Sequence, residues 1–190
     1  MPVSTIDSNP ALIVVDLQKG LLGAPTSPYS MEQVVRQAAR LAKAFRTHGL
    51  PVVLVNVDGA APGRTEAGHA HAERHADWSE IAEPLDAQPG DIRVTKQRWN
   101  AFHDTGLHAE LSRLGVSQVV ITGVATSVGA EGTARAAYDW GYNVVLATDA
   151  MTDIDAAAHA NSIERVFPKL GETGSVDEII ELTGAAGRSR

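Results

Sequence analysis

Two rhythms alternate along this chain. Short runs rich in Val and Ile occupy residues 11–15, 52–56, 92–95, 119–122 and 143–148, and between them apolar residues recur at three- and four-residue spacing. Runs of the first kind predict strands, and the one at 11–15 is too uniformly apolar for a sheet with one wet face, so it predicts a central parallel strand. The second kind predicts helices that lay one stripe on that sheet. In the helix predicted over 31–49, Val34, Ala38, Leu41, Ala42 and Phe45 form the stripe, Ser30 is the cap and Gly49 the stop. Further helices are predicted from Asp104 or Thr105 to near Gly115, from the turn after Gly123 through Ala137, and from about Asp155 to Phe167, before a short last segment. Residues 1–10 read as a polar arm. Strand and helix alternate throughout, which with right-handed crossovers gives a three-layer α/β/α sandwich.

The chemistry is expected at the carboxyl ends of the strands, where open parallel sheets bind their ligands. Asp16 closes the first strand, Lys96 the third, and the fourth runs through Gly123 into a tight turn, residues 125–129, that opens a helix. A helix start offers backbone N–H groups to negative charge. A strand-ending Asp is often only a turn cap and a lone Lys only a solvated cation. Brought to one cleft by separate strands, they bias each other's protonation and become informative together.

Composition removes several alternatives. A chain of 190 residues with 44% hydrophobic content fits one domain over 1–190 with a core large enough to need no staple. The absence of cysteine excludes disulfides, thiolate metal sites and a thiol nucleophile. A net charge of -7 without a basic cluster argues against nucleic acid. With neither an apolar span nor a signal peptide in view, the expected partner is a small molecule rather than a membrane, and the expected location is the cytoplasm.

Three segments together carry a resemblance: Ile13-Val14-Val15-Asp16-Leu17-Gln18, Lys96-Gln97-Arg98-Trp99-Asn100-Ala101-Phe102, and Gly123 to Arg135. They resemble the first strand, the lysine segment and the nucleophile turn of the isochorismatase-like hydrolases, also called cysteine hydrolases. The resemblance implies a Rossmann-like sandwich on a mainly parallel six-stranded sheet, a homodimer or homotetramer, and no cofactor. It implies an Asp–Lys–Cys triad, of which Asp16 and Lys96 are present while Gly129 holds the nucleophile's place. It also implies a cis Val124–Ala125 peptide, with the Ala125 and Gly129 amides forming an anion site and Gln18, Trp99 and Phe102 near the substrate.

Thiol members cleave amides and nitriles through the cysteine, a route closed here. Isochorismatases proper also resemble this chain in having glycine there, and they hydrolyse a vinyl ether by protonating the enolpyruvyl double bond, without a covalent intermediate. The resemblance then makes Asp16 a general acid, with Lys96 binding a substrate carboxylate or the developing oxygen charge. Those enzymes carry aromatic and histidine residues where this chain has Ala125-Thr126-Ser127, and tyrosine where it has Trp99, so substrate identity is open. The alternatives are an amidase using water or a hydroxyl, and a binding protein that has lost catalysis. Cysteine at position 129 would restore the triad in sequence.

Other residues have plainer readings. Thr126 and Ser127 read as helix-start caps. His69, His71 and His75, in the long irregular segment 58–91, read as solvated rather than as metal ligands, since no Asp-x-His pattern follows Asp58. Trp99 and Phe102 read equally as core or pocket wall. Asp149 reads as a structural cap closing the fifth strand, and Arg135 and Tyr138 as packing or interface residues.

Overall fold

A computed structural model describes residues 1–65 and 75–187. The predicted strands form as β1 (Pro10–Val15), β2 (Val52–Val57), β3 (Ile92–Lys96), β4 (Gln118–Gly123) and β5 (Asn143–Met151), joined by β6 (Glu172–Gly174). All five neighbouring pairs are parallel, in the order β3-β2-β1-β4-β5-β6. The helices are α1 (Met31–Thr47), α2 (Leu107–Arg113), α3 (Glu131–Asp139), α4 (Ala156–Asn161), α5 (Phe167–Leu170) and α6 (Val176–Gly187).

The two faces of the sheet are covered by different helices. Side chains of α1 and α6, among them Val34, Leu41, Phe45 and Ile179, pack with Leu12, Val14 and Leu54 from one face. On the other face Leu107 and Leu111 of α2, Ala134 and Ala137 of α3 and Phe167 of α5 pack with Ile13, Val15 and Val53. The central strands β1 and β4 are buried along their whole length because each alternate residue meets a helix on its own side. Helix α1 begins as predicted, with Ser30 and Gln33 forming a reciprocal capping box.

Four boundaries differ from the sequence reading. Helix α2 starts at Leu107, after Gly106 with φ +73°, rather than at Asp104 or Thr105. Strand β5 does not end at Thr148: a register shift opposite Ile121 and Gly123 lets it continue, so that Gly123 pairs with Met151. The helix predicted over 155–167 runs on through a wide helical turn, Ser162–Val166, into α5. The last segment holds both β6 and the twelve-residue α6. The amino-terminal arm is pinned, with Val3 N–H donating to Thr173 O beside β6. Among the described residues no helix is long and apolar enough to cross a membrane.

The chain builds β1, β2 and β3 outward, then returns to lay β4 on the free side of β1. The carboxyl ends of β1 and β4 therefore flank the point where strand order reverses, the position at which open α/β sheets form a crevice.

Candidate active site

Asp16 follows β1 directly, and its backbone enters the left-handed region at φ 56°, which Asp tolerates better than the β-branched residues before it. Its N–H still donates to Val55 O of β2 at 2.9 Å, so the chain turns only after the last ladder bond. Lys96 closes β3, two strands away, in register with Val57. Their side chains meet: Lys96 Nζ lies 2.7 Å from Asp16 Oδ2 and donates to Arg98 O at 3.0 Å. Both residues are buried, 6% and 2% exposed.

Burial outweighs the lysine's attraction. Desolvation pushes the Asp16 carboxyl from its ordinary 3.8 up to about 6, against the opposing charge and hydrogen bond of Lys96. The two carboxyl oxygens are unlike each other. Oδ2 is engaged by Lys96, whereas Oδ1 is buried with no hydrogen-bond partner among the described residues.

The third component arrives from β4. Gly123, at φ +112°, packs so closely on β1 that a Cβ there would lie 2.0 Å from Val15 O; only glycine fits. The Val124–Ala125 bond is cis, as expected. A helical turn of the wide type, Thr126–Ala130, then feeds α3. Gly129 in that turn lies against the carboxylate: a Cβ built on it would stand 3.1 Å from Asp16 Oδ2, 3.0 Å from Val15 Cγ1 and 2.6 Å from Val124 O. Asp16, Lys96 and Gly129 thus converge, and a cysteine at 129, which would restore the triad in sequence, does not fit the turn as it stands. Its Cβ would collide with a backbone carbonyl, so the turn would have to shift.

Thr126 and Ser127 are not caps of their own helix; a clip from the segment after β5 holds them. Thr126 N–H donates to Thr152 O at 2.9 Å, and its Oγ1 lies 2.9 Å from His159 Nδ1. Asp153, 2% exposed, accepts from Ser127 N–H at 2.7 Å and Ser127 Oγ at 2.8 Å. Burial holds the His159 imidazole below its ordinary range, opposed by the charge of Asp153. The sequence reading missed Thr152, Asp153 and His159 because it ended β5 three residues early. The available signal was the hydroxyl and carboxylate of Thr152-Asp153 directly after Ala150-Met151.

The residues expected to line a pocket divide. Gln18 is fully buried with its amide committed to backbone groups of Val57 and Trp78, which corrects its assignment to substrate contact. Phe102 takes the core reading rather than the pocket-wall one, 8% exposed and stacked on Tyr142 at 5.9 Å. Trp99 stays exposed at 65%, its Cβ resting over Gly132 of α3. Asp149 lies inside β5 and receives the Val176 N–H at the start of α6, so it caps a helix as expected, though from mid-strand. Arg135 pairs with Glu131 one helical turn away, and Tyr138 is exposed. His75 is exposed, whereas His69 and His71 lie outside the described residues.

This arrangement has relatives. The profile of the isochorismatase domain matches residues 10–178. The chain belongs to the isochorismatase family. It is 36% identical to the isochorismatase family protein YecD of Escherichia coli O157:H7, over 90% of this chain and 94% of that protein. It is 31% identical to the ureidoacrylate amidohydrolase of Variovorax paradoxus, over 94% of this chain and 83% of that enzyme. A solved isochorismatase family structure from Burkholderia thailandensis superposes with a TM-score of 0.91 at 35% identity, covering 95% of this chain and 98% of the other. Hydrolase chemistry on the α/β sandwich is thus the family's.

Two predictions follow from this geometry. Carbon-13 titration of the Asp16 carboxyl will give a midpoint of about 6, and Lys96→Met will raise it further by removing the cation that pulls it down; a wild-type midpoint near 4 contradicts the burial argument. Because the folded value is raised, the stability linked to this group is fully present below 3.8 and lost as pH rises through about 6. Gly129→Cys will cost about 1–3 kcal/mol in denaturant unfolding through overpacking, and its thiol will gain no amide-cleaving activity.

Proposed function

We propose that this protein hydrolyses a small-molecule enol ether of the isochorismatase type, with Asp16 as general acid, water as nucleophile and no covalent intermediate. The observation that carries the reading is the Asp16 Oδ1 atom: a buried oxygen without a partner among the described residues, on a carboxyl held up at about 6, beside a turn too tight at Gly129 for a nucleophilic side chain. With Oδ2 occupied by Lys96, the transferable proton resides on Oδ1.

In the reaction, the Oδ1 proton passes to the terminal methylene carbon of the enolpyruvyl group, leaving an oxocarbenium ion. Water adds to the cationic carbon and returns a proton to Asp16. The resulting hemiketal collapses to pyruvate and an alcohol, its hydroxyl proton going to the departing oxygen. Bound substrate excludes water from the carboxyl and raises its proton affinity further, which suits a general acid working near neutral pH. Two of the three Lys96 donors are spent on Oδ2 and Arg98 O, which leaves one for a substrate oxygen.

Ala125 and Gly129 are the amides assigned to a substrate anion. The neighbouring N–H groups support this by being taken: Thr126 donates to Thr152 O, Ser127 to Asp153, Val128 and Ala130 to Ala125 O, and Glu131 to Thr126 O.

Incubation with isochorismate, a panel of other enol ethers, amides and esters, read by mass spectrometry, tests the assignment. Pyruvate release is the expected outcome, and ammonia release from an amide instead would overturn it. Asp16→Asn is expected to lose roughly 10²–10⁴-fold in kcat. Its melting temperature should be close to wild type below about pH 6, where the carboxyl it replaces is also neutral and the amide keeps its volume. Wild-type turnover in that variant contradicts the general-acid role.

A further inference from the structure

Asp16 and Lys96 sit on strands separated by β2, so their separation depends on what holds the exit of β1 to the end of β2. Ladder bonding cannot do this, because β1 turns away at Asp16 while β2 continues to Val57. Gln18 replaces the missing ladder. It is fully buried, its N–H donates to Asp16 O at 3.0 Å, and its side chain takes both backbone groups of Val57. Val57 N–H donates to Gln18 Oε1 at 2.8 Å, and Gln18 Nε2 donates to Val57 O at 3.1 Å. Val57 is the residue in register with Lys96. One side-chain amide therefore ties the backbone beside Asp16 to the backbone beside Lys96.

A strap fastens this amide from outside. Gln18 Nε2 also donates to Trp78 O at 3.2 Å, and Gln18 forms an antiparallel bridge with Ile81. Backbone bonds run from Lys19 N–H to Glu80 O at 2.8 Å, Gly20 N–H to Trp78 O at 2.9 Å, and Ala82 N–H to Leu17 O at 2.9 Å. The Trp78 indole covers Gly20 so closely that a Cβ there would fall 2.0 Å from the ring. This is the second half of the long segment between β2 and β3, and its order is spent on the four residues that follow Asp16.

We propose that Gln18, held by the 78–82 strap, is the positioning residue that fixes the separation of Asp16 and Lys96. It touches neither substrate nor proton; it acts through the Asp16 backbone and Val57. Only the catalytic consequence rests on the reaction proposed above, since the geometric claim concerns the pair itself.

The test is carbon-13 titration of the Asp16 carboxyl in the full chain from about pH 4 to about pH 8, in wild type and Gln18→Met, with Lys96→Met marking the complete loss of the lysine's pull. Methionine matches glutamine in length but can neither donate to Val57 O nor pair with its N–H. The midpoint in Gln18→Met is expected to rise by at least about half a unit, a roughly threefold tighter proton, towards the Lys96→Met value. Should Gln18→Met fail to fold, Gly20→Ala, which pushes the indole and strap outward, is expected to move the midpoint the same way by less. A midpoint unchanged while the melting temperature falls assigns Gln18 a merely structural role and overturns the proposal, as does a fall in the midpoint, which would mean that water has entered instead. With isochorismate as substrate, Gln18→Met should lower kcat with KM within about twofold. If wild type leaves isochorismate intact, the reaction reading fails while the titration still decides the positioning claim.

Discussion

A cation and a carboxyl buried together at the end of a parallel sheet set the conditions for everything around them. The Lys96 and Asp16 contact is 2.7 Å long and nearly closed to solvent. Each group alone would be expensive to bury, so the fold must supply both from different strands and hold them in contact. It does so with short-range devices: a left-handed bend at Asp16, the Arg98 carbonyl on the ammonium, and the Gln18 amide spanning the gap that β1 leaves beside β2. The pair is not balanced. Desolvation exceeds the lysine's pull, and the surplus leaves a carboxyl able to hold a proton at an otherwise unmatched oxygen.

The same crowding accounts for glycine at 129, the position at which the resemblance in sequence would place a nucleophile. Val124 O, Val15 and Asp16 leave no room for a β-carbon at position 129, so its glycine is part of how the turn is built rather than a triad with one member deleted. The turn is held from the far side by Thr152, Asp153 and His159. Isochorismatase family membership supplies hydrolase chemistry; the packing at this turn argues against its covalent form.

Much of this was legible in the residues. The apolar runs located the strands, and the residues ending the first, third and fourth located Asp16, Lys96 and the turn, because a polar side chain directly after an apolar run stands out as the strand's end. The misreadings have physical causes. Asp149 looked like a strand terminus because a charged residue inside a buried strand is unusual, yet here it is placed where the start of α6 needs an acceptor. Phe102 and Gln18 stood close to Lys96 and Asp16 in sequence, but side-chain direction, which spacing does not give, turned one into the core and the other onto the backbone of Val57. Asp153 was missed because β5 was ended before it, and although a carboxylate directly after that strand was visible, its partner, Ser127, is 26 residues away and had to come from the fold.

The central claim is that Asp16 works as an acid rather than as a base that activates water or a nucleophile. The direction of the pH dependence of kcat/KM for isochorismate hydrolysis tests this most directly, since it reports the protonation state that the free enzyme needs. The account predicts a rate that falls as pH rises through about 6, the value to which burial raises Asp16. A rate that climbs with pH across that range would show that the ionised carboxylate is the working form, and would contradict it.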